Sequence, residues 1–477
     1  MSIAAILAWK GWRRIGREVG ISIVLGALIE IGLVVFQPPT LLIVRHVADE
    51  TADRMIRLVE ATTEALNASP AFIFIDIDDA TWLAWNAPLI TPRDKVATLI
   101  SRAAHSHPTM IIVDIDLAFD DSPSSEGVLK ALIKDYDPTW PPLLLTRSLK
   151  GLNGAQSGLP EPRLTHYEQT PDDGRPRPPN VIWASPLFER DGDAKVRRWR
   201  LAQPACDRTA SLARPMVIPS LELAAAIILN SKGAEPAAAI GRAMAPIIPD
   251  SCEHPGPAKT TIIQSDPRIV IGGDDVAQRI IYRVGWRDGA SALGPLVPLN
   301  GVDVSLVALR SARLIAAGDR ASPIPGMDGR IAVIGGSFLD SGDWRDTPVG
   351  RMPGALMIIN AIEALALNGT PEEPDLSQRL AISFGIIVAV SFLTALLRPI
   401  LASFAAAGLI IAIMVASLHQ FGSGIILDLS LPAVGAFVHD ILETIVIAFQ
   451  QIRQLGWRWI LKPEAPAPTK PGEAKNA

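Results

Sequence analysis

Ala71-Phe72-Ile73-Phe74-Ile75-Asp76-Ile77-Asp78 is an apolar run that closes in acid. It is too short for a buried helix, and its isoleucines favour a strand buried on both faces. The pattern returns at Met110-Ile111-Ile112-Val113-Asp114-Ile115-Asp116, and shorter apolar runs stand at Pro142–Thr146 and Arg330–Gly336. Helices are predicted over Thr91–His105, Ser125–Asp135, Ser220–Leu229, Asp303–Ala316 and Gly354–Leu367. Thr91-Pro92 sets an N-cap residue before a proline in the first turn. Strands alternating with helices predict an α/β fold with a mainly parallel sheet and helices on both faces. Arg147–Arg177 reads as a surface loop, Lys232–Ala277 as an Ala/Pro/Gly-rich insertion, and Arg279–Val284 as an edge strand.

This α/β segment is bracketed by apolar blocks. One is Val19–Phe36; the others are Leu380–Leu397, Ile400–Leu418 and Ile425–Phe449. Each is close to the ~20 residues a helix needs to cross a bilayer. Lys10, Arg13, Arg14 and Arg17 precede the first run, Arg398 lies between the second and third, and Arg453, Arg458 and Lys462 follow the last. The turn His419–Gly424 has no Lys or Arg. Basic flanks stay inside, so the expectation is four transmembrane helices with both termini cytoplasmic. The layout is then a cytoplasmic start (1–18), a span (19–37), an extracytoplasmic domain (38–378), three spans (379–449) and a cytoplasmic tail (450–477). Phe36-Gln37-Pro38-Pro39 offers no signal-peptide cleavage pattern, so the first run is expected to stay as an anchor in the plasma membrane.

The chain has 477 residues and a net charge of −5, which argues against a nucleic-acid partner. Its two cysteines, Cys206 and Cys252, both fall in the outer segment, where an oxidising compartment would permit a bridge. The alternative is two separate thiols. The tail beyond Leu461 is Pro/Ala/Lys-rich and is expected to be disordered, with no room for a kinase, cyclase or response-regulator module.

Ile75-Asp76-Ile77-Asp78 with Thr91-Pro92-Arg93, then Val113-Asp114-Ile115-Asp116 with Phe119, resemble the CHASE type-two family of extracellular sensory domains. Asp191-Gly192-Asp193 followed by Val196-Arg197-Arg198 is similar to the family's D-x-D-G-x-x-R turn with altered spacing. Pro219-Ser220-Leu221-Glu222-Leu223 fits the start of a family helix. Ala332-Val333-Ile334-Gly335 precedes Asp343, Asp346-Thr347-Pro348, Met352-Pro353-Gly354 and Asn360-Ala361, the most specific string. Ala87–Pro92 departs from the Trp-Pro-rich stretch usual before Arg93. The resemblance implies a non-enzymatic sensor whose output lies on another chain, either a signalling effector or an envelope protein. The rival reading is an assembly subunit of an envelope complex.

Asp76, Asp78, Asp114 and Asp116 stand at predicted strand ends, where open parallel sheets bind ligands. Asp343 and Asp346, with Asp340, extend that edge. Carboxylates so gathered must be separated, protonated or bridged, and Ca²⁺ or Mg²⁺ is a candidate bridge. The alternative is capping of helices and pairing with Arg93 and Arg345. No protein cofactor is otherwise expected. Asp76-Ile77-Asp78 also imitates the nucleophile motif of a metal-dependent phosphatase, but a positioned Lys and a later acidic pair are not evident. His105, His107, His46 and His166 form no metal or nucleophile pattern.

Glu30 falls in the first apolar run, and His439, Asp440 and Glu443 in the last. At 1.5 Å per residue Glu30 lies about 16 Å from Val19 and His439 about 15 Å from Phe449, so the two reach one depth. Charge inside a bilayer faces protein or water, which makes Glu30, His439 and Glu443 candidates for coupling between helices. The alternative ends the fourth span near Val438 and continues as a cytoplasmic helix. That helix would present Ile441, Ile445, Ala448, Ile452, Leu455 and Trp459 to a partner or to a second copy.

Overall fold

The computed structural model describes residues 49–60 except 51 and 59, and residues 376–396. It also describes residues 69–370 except 151–158, 169–176, 210–211, 232–233, 257–258, 266, 273–277 and 320–321. Positions 20, 24, 405, 408, 409 and 412 are described singly. The chain divides into two compact units, one comprising Asp53–Glu372 and the other including Glu373–His419.

The first unit is built on a seven-stranded sheet. Its strands are β1 (Phe72–Ile77), β2 (Met110–Val113), β3 (Leu143–Thr146), β4 (Val181–Ala184), β5 (Ala292–Leu299), β6 (Val302–Ser311) and β7 (Ile331–Gly336). Their order is β5-β6-β1-β7-β2-β3-β4, and every pairing is parallel except β5 with β6. Every residue of β1 is buried, which accounts for a run without polar alternation.

The helices of this unit are α1 (Asp79–Ala84), α2 (Arg93–Ala104), α3 (Pro123–Lys134), α4 (Leu221–Asn230), α5 (Ala312–Ala316) and α6 (Gly354–Asn368). Ile73, Ile75 and Ile77 point to one face and pack with Val96 and Leu99 of α2, Leu129 of α3 and Ile315 of α5. On the other face α6 lies along β7 and beside α4. This is the expected mixed α/β fold with a mainly parallel sheet.

Particular elements differ from expectation. Asp303–Ala316 was predicted as one helix, but β6 takes Val302–Ser311 and only α5 is helical. The register Phe72↔Val307 to Asp76↔Ser311 shows the cause: β1 offers a parallel partner that no local signal announces. Thr91 does not cap α2; Pro92 holds the cap position without a side-chain bond. Of the expected edge strand Arg279–Val284 only Arg279 is in a strand, the two-residue Gln278–Arg279, which runs antiparallel to Val196–Trp199. The insertion contains a helix, Pro236–Met244, and a ribbon of Thr260–Ser265 with Arg268–Gly272.

α6 runs antiparallel to the strands. Its first turn meets the carboxyl end of β7, while Glu363 lies by Ser69, just ahead of β1. β1 therefore begins and α6 ends at the amino edge of the sheet, opposite the acid-bearing carboxyl edge.

In the second unit α7 (Leu376–Leu396) takes up the run expected from Leu380 to Leu397. Among the described residues no helix is long and apolar enough to cross a membrane. Apart from the single positions above, the other three apolar runs lie outside the described residues, as do Glu30, His439 and Glu443.

Candidate functional site

At the carboxyl edge, the backbone places Asp76 in β1 opposite Gly335 of β7. Asp76 Oδ2 accepts a hydrogen bond from Ser337 Oγ at 2.8 Å, while Oδ1 is buried without a partner. Burial pushes its carboxyl up to about 7 against the opposing Ser337 bonds, with Asp78 and Asp79 adding to the rise.

Asp114 follows β2 directly, and its amide donates to Ile334 O at 2.8 Å. Its Oδ2 is buried without a partner. Burial, then Asp343 and Glu222, raise its pKa well above the carboxylate range, and Arg345 opposes them. Asp343 is also raised by burial. It sits at the start of α6, where Gly354 N–H donates to its carbonyl at 3.0 Å. A Cβ on Gly354 would overlap the Asp343 carboxylate, so this glycine is required by close approach. Glu222 lies fully buried in the first turn of α4, and burial pushes it up to about 7. The sheet edge thus gathers carboxyl groups whose burial favours the protonated form.

The other expected site residues are placed differently. Asp78 caps α1, accepting from Thr81 N at 2.7 Å and Thr81 Oγ1 at 2.5 Å. Asp116 is exposed, accepting from Ala118 N at 2.8 Å and Ser148 Oγ at 3.1 Å. Asp346 is exposed on the hairpin of Trp344–Thr347 with Gly350–Pro353. Arg93 is buried and donates to the carbonyls of Asp116 and Phe119 at 2.9 and 2.7 Å, so it shapes the turn after β2. Among the described residues no group of three His, Cys, Asp or Glu side chains is placed to hold a metal ion.

A second polar centre lies around Arg197, which is 1% exposed. Its Nη2 reaches Asp53 Oδ2 at 2.8 Å and Asp193 Oδ2 at 2.7 Å, and its Nη1 reaches Asp191 Oδ2 at 2.9 Å. Lys195 and Arg279 also face Asp53, at 3.3 and 3.6 Å. Burial opposes the charge on Arg197, yet the hydrogen bonds it donates to Asp193, Asp53 and Asp191 outweigh it and raise its pKa. The Arg197 bond in turn holds Asp193 down at about 2. Asp53 belongs to a stretch helical over 52–58 that leads into the sheet. The network therefore ties the incoming helix to the hairpin of Phe188–Arg190 with Val196–Trp199. Sequence reading missed Asp53 and the fully buried role of Glu222.

Cys206 and Cys252 are joined in a disulfide with Cα atoms 5.5 Å apart, tying the insertion to the strand Ala202–Asp207.

The model of the CHASE2 domain family matches residues 24–397. The chain belongs to the CHASE2 domain family. No curated protein and no solved structure matches it significantly. With the CHASE2 frame in place, the acidic turn needs correction: its spacing is unaltered. Asp191-Gly192-Asp193-Ala194-Lys195-Val196-Arg197 fits D-x-D-G-x-x-R with Ala194 in the glycine place, and Ala194 has φ 66°. Ala194 thus holds a left-handed backbone conformation that glycine adopts more readily.

Proposed function

We propose that this CHASE2 chain is a non-enzymatic, membrane-anchored extracytoplasmic sensor with four spans and cytoplasmic termini. The spans are Val19–Phe36, Leu380–Leu397, Ile400–Leu418 and Ile425–Phe449, read from apolar length and flanking charge. The stimulus acts at the carboxyl edge, on Asp76, Asp114, Asp343 and Glu222. The observation that carries this reading is α6, whose 15 residues run without a break from that acid edge to the exit toward α7.

A helix of that length spans about 22 Å. Its later turns are held to the unit by buried polar contacts. Asn360 Oδ1 accepts from the amides of Arg283 and Val284, both at 2.9 Å, and Glu363 faces Arg283 at 3.2 Å. Loading or discharging the acid edge would shift α6 as a unit, and the spans would carry the shift to a separate effector, with a paired copy as the natural arrangement. A stimulus moves that equilibrium only by binding the two positions of α6 unequally.

Crosslinking in membranes followed by affinity capture of the full chain tests the sensor reading. Capture of a kinase or cyclase supports it. Capture of envelope-assembly machinery alone would replace it with the assembly-subunit reading.

A further inference from the structure

Residues 280–287 belong to no helix or strand, yet Ile280, Ile281, Tyr282, Arg283 and Val284 are all buried. Buried backbone outside a sheet must find partners for its amides and carbonyls elsewhere. Here they come from two directions. On one side, Ile280 N donates to Arg197 O at 2.8 Å and Tyr282 Oη donates to Val196 O at 2.9 Å. Arg279, at the head of the segment, faces Asp53 at 3.6 Å. At its foot the Gly285 amide donates to the Glu60 carboxylate. A Cβ on Gly285 would stand 2.8 Å from Glu60 Oε1, so a glycine is what lets that carboxylate come so close. Asp53, Ile56 and Glu60 follow the i, i+3, i+7 spacing of one helix face, and Asp53 and Ile56 are fully buried.

On the other side stands α6. Asn360 Oδ1 takes the amides of Arg283 and Val284, and Asn360 Nδ2 donates to Val284 O at 3.0 Å. The side-chain amide thus pairs with both backbone groups of Val284, as the peptide of a neighbouring strand would. Its Nδ2 also donates to Leu356 O at 2.9 Å, which fixes the carboxamide to its own helix. Arg283 reaches on to Glu363, three residues later in α6. The segment 279–285 is therefore a strap, fastened to residues 53 and 60 along one side and to residues 360 and 363 along the other.

We propose that this strap locks α6 and the helical stretch 52–58, with Glu60, into one moving body. A displacement of α6 is then shared by that stretch and not absorbed between the two. Coupling of this kind travels through contiguous hydrogen bonds and packed side chains, and each link here is a direct contact. The use of the lock rests on the sensor reading above, which sends the signal through α6 alone. In sequence Val19–Phe36 stands ahead of residue 52 and Leu380–Leu397 follows α6, so the lock gives the acid edge two outlets in place of one.

The test reads the opening of each element through a buried thiol in the purified full chain. Both natural cysteines are bridged, so an added cysteine is the sole free thiol. Ile56→Cys, Leu365→Cys and Ala103→Cys place it at fully buried positions of the stretch 52–58, of α6 and of α2. Alkylation rates report how often each site opens. Asn360→Leu keeps the bulk of the side chain and removes the amide. It should speed alkylation of Ile56→Cys about tenfold, the order set by one buried group left unpaired, and leave Ala103→Cys unchanged. Gly285→Ala disturbs the strap from the Glu60 side and is the milder variant, because a carboxylate can turn aside; it carries the test should Asn360→Leu fail to fold. It should speed alkylation of Leu365→Cys, again without effect at Ala103→Cys. Variants that act only on their own side of the strap, or on neither side, overturn the lock. Equal acceleration at all three thiols shows the unit loosening as a whole and overturns it as well. Either result leaves the sensor reading standing, since that reading is decided by the partner captured.

Discussion

Arg197 and Asp53 are both shut away from water, so each is the other's condition for staying charged. Removing one member of such a pair leaves an uncompensated buried charge, which costs about 3–5 kcal/mol. Arg197→Gln and Asp53→Asn should each lower stability by that order in denaturant titrations, and the double variant should lose much less than the sum. Ala194 is a smaller matter of backbone. Its left-handed φ of 66° costs an L-residue roughly 1–2 kcal/mol, so Ala194→Gly should stabilise by about 1 kcal/mol, set against the extra freedom glycine gains when unfolded. Titration gives a third expectation. Burial raises Asp76, Glu222 and Glu363 to about 7, so the folded chain keeps these protons longer than the unfolded chain. Their contribution is whole below the unfolded values near 4 and is lost as pH rises through 7. Asp193, held at about 2, acts oppositely: its contribution stands above pH ~4 and is lost as pH falls toward 2. Melting temperature should therefore peak near pH ~5 and fall toward pH 8, with the alkaline fall flattened in Glu222→Gln. Sequence reading found Asp76 and Asp114 because acid after an apolar run has a position in the fold. It missed Asp53, because 144 residues separate it from Arg197, and Glu222, because acid in the first turn of a helix reads as ordinary dipole pairing.

Among the elements, α6 was legible almost to its ends, since an apolar run after Met352-Pro353-Gly354 carries both a start and a length. β6 was not. Val302–Ser311 mixes apolar and small residues without a clean period, and its pairing with β1 decides the outcome. Strands β4 and β5 were also unread, being short in one case and interrupted by Gly294 and Pro295 in the other. The joint of α6 with the sheet rests on Gly335. A Cβ there would stand 2.6 Å from the Ala355 Cβ, closer than two carbons can approach. Gly335→Ala should push the first turn of α6 off β7 at a cost of about 1–3 kcal/mol, seen as a lower melting temperature and faster amide exchange confined to α6. Ala355→Gly added to it should restore most of the loss. Equal exchange in α2 and α6 would show that α6 is not separately seated.

For the whole molecule, the acid edge lies at the edge of the sheet opposite the one where β1 begins and α6 ends. The sensor proposal uses that polarity, with a stimulus at the acid edge acting through α6. The fold class and part of the order of strand and helix came from local pattern, whereas the proposed route of coupling came from contacts between residues far apart in sequence. The account as a whole depends on the α/β unit lying outside the cytoplasm. With Cys206 and Cys252 bridged, Leu89→Cys offers one exposed thiol far from the amino edge. A membrane-impermeant maleimide added to intact cells should label that variant before lysis and leave the parent chain unlabelled. Labelling of Leu89→Cys only after the cells are broken would contradict the account.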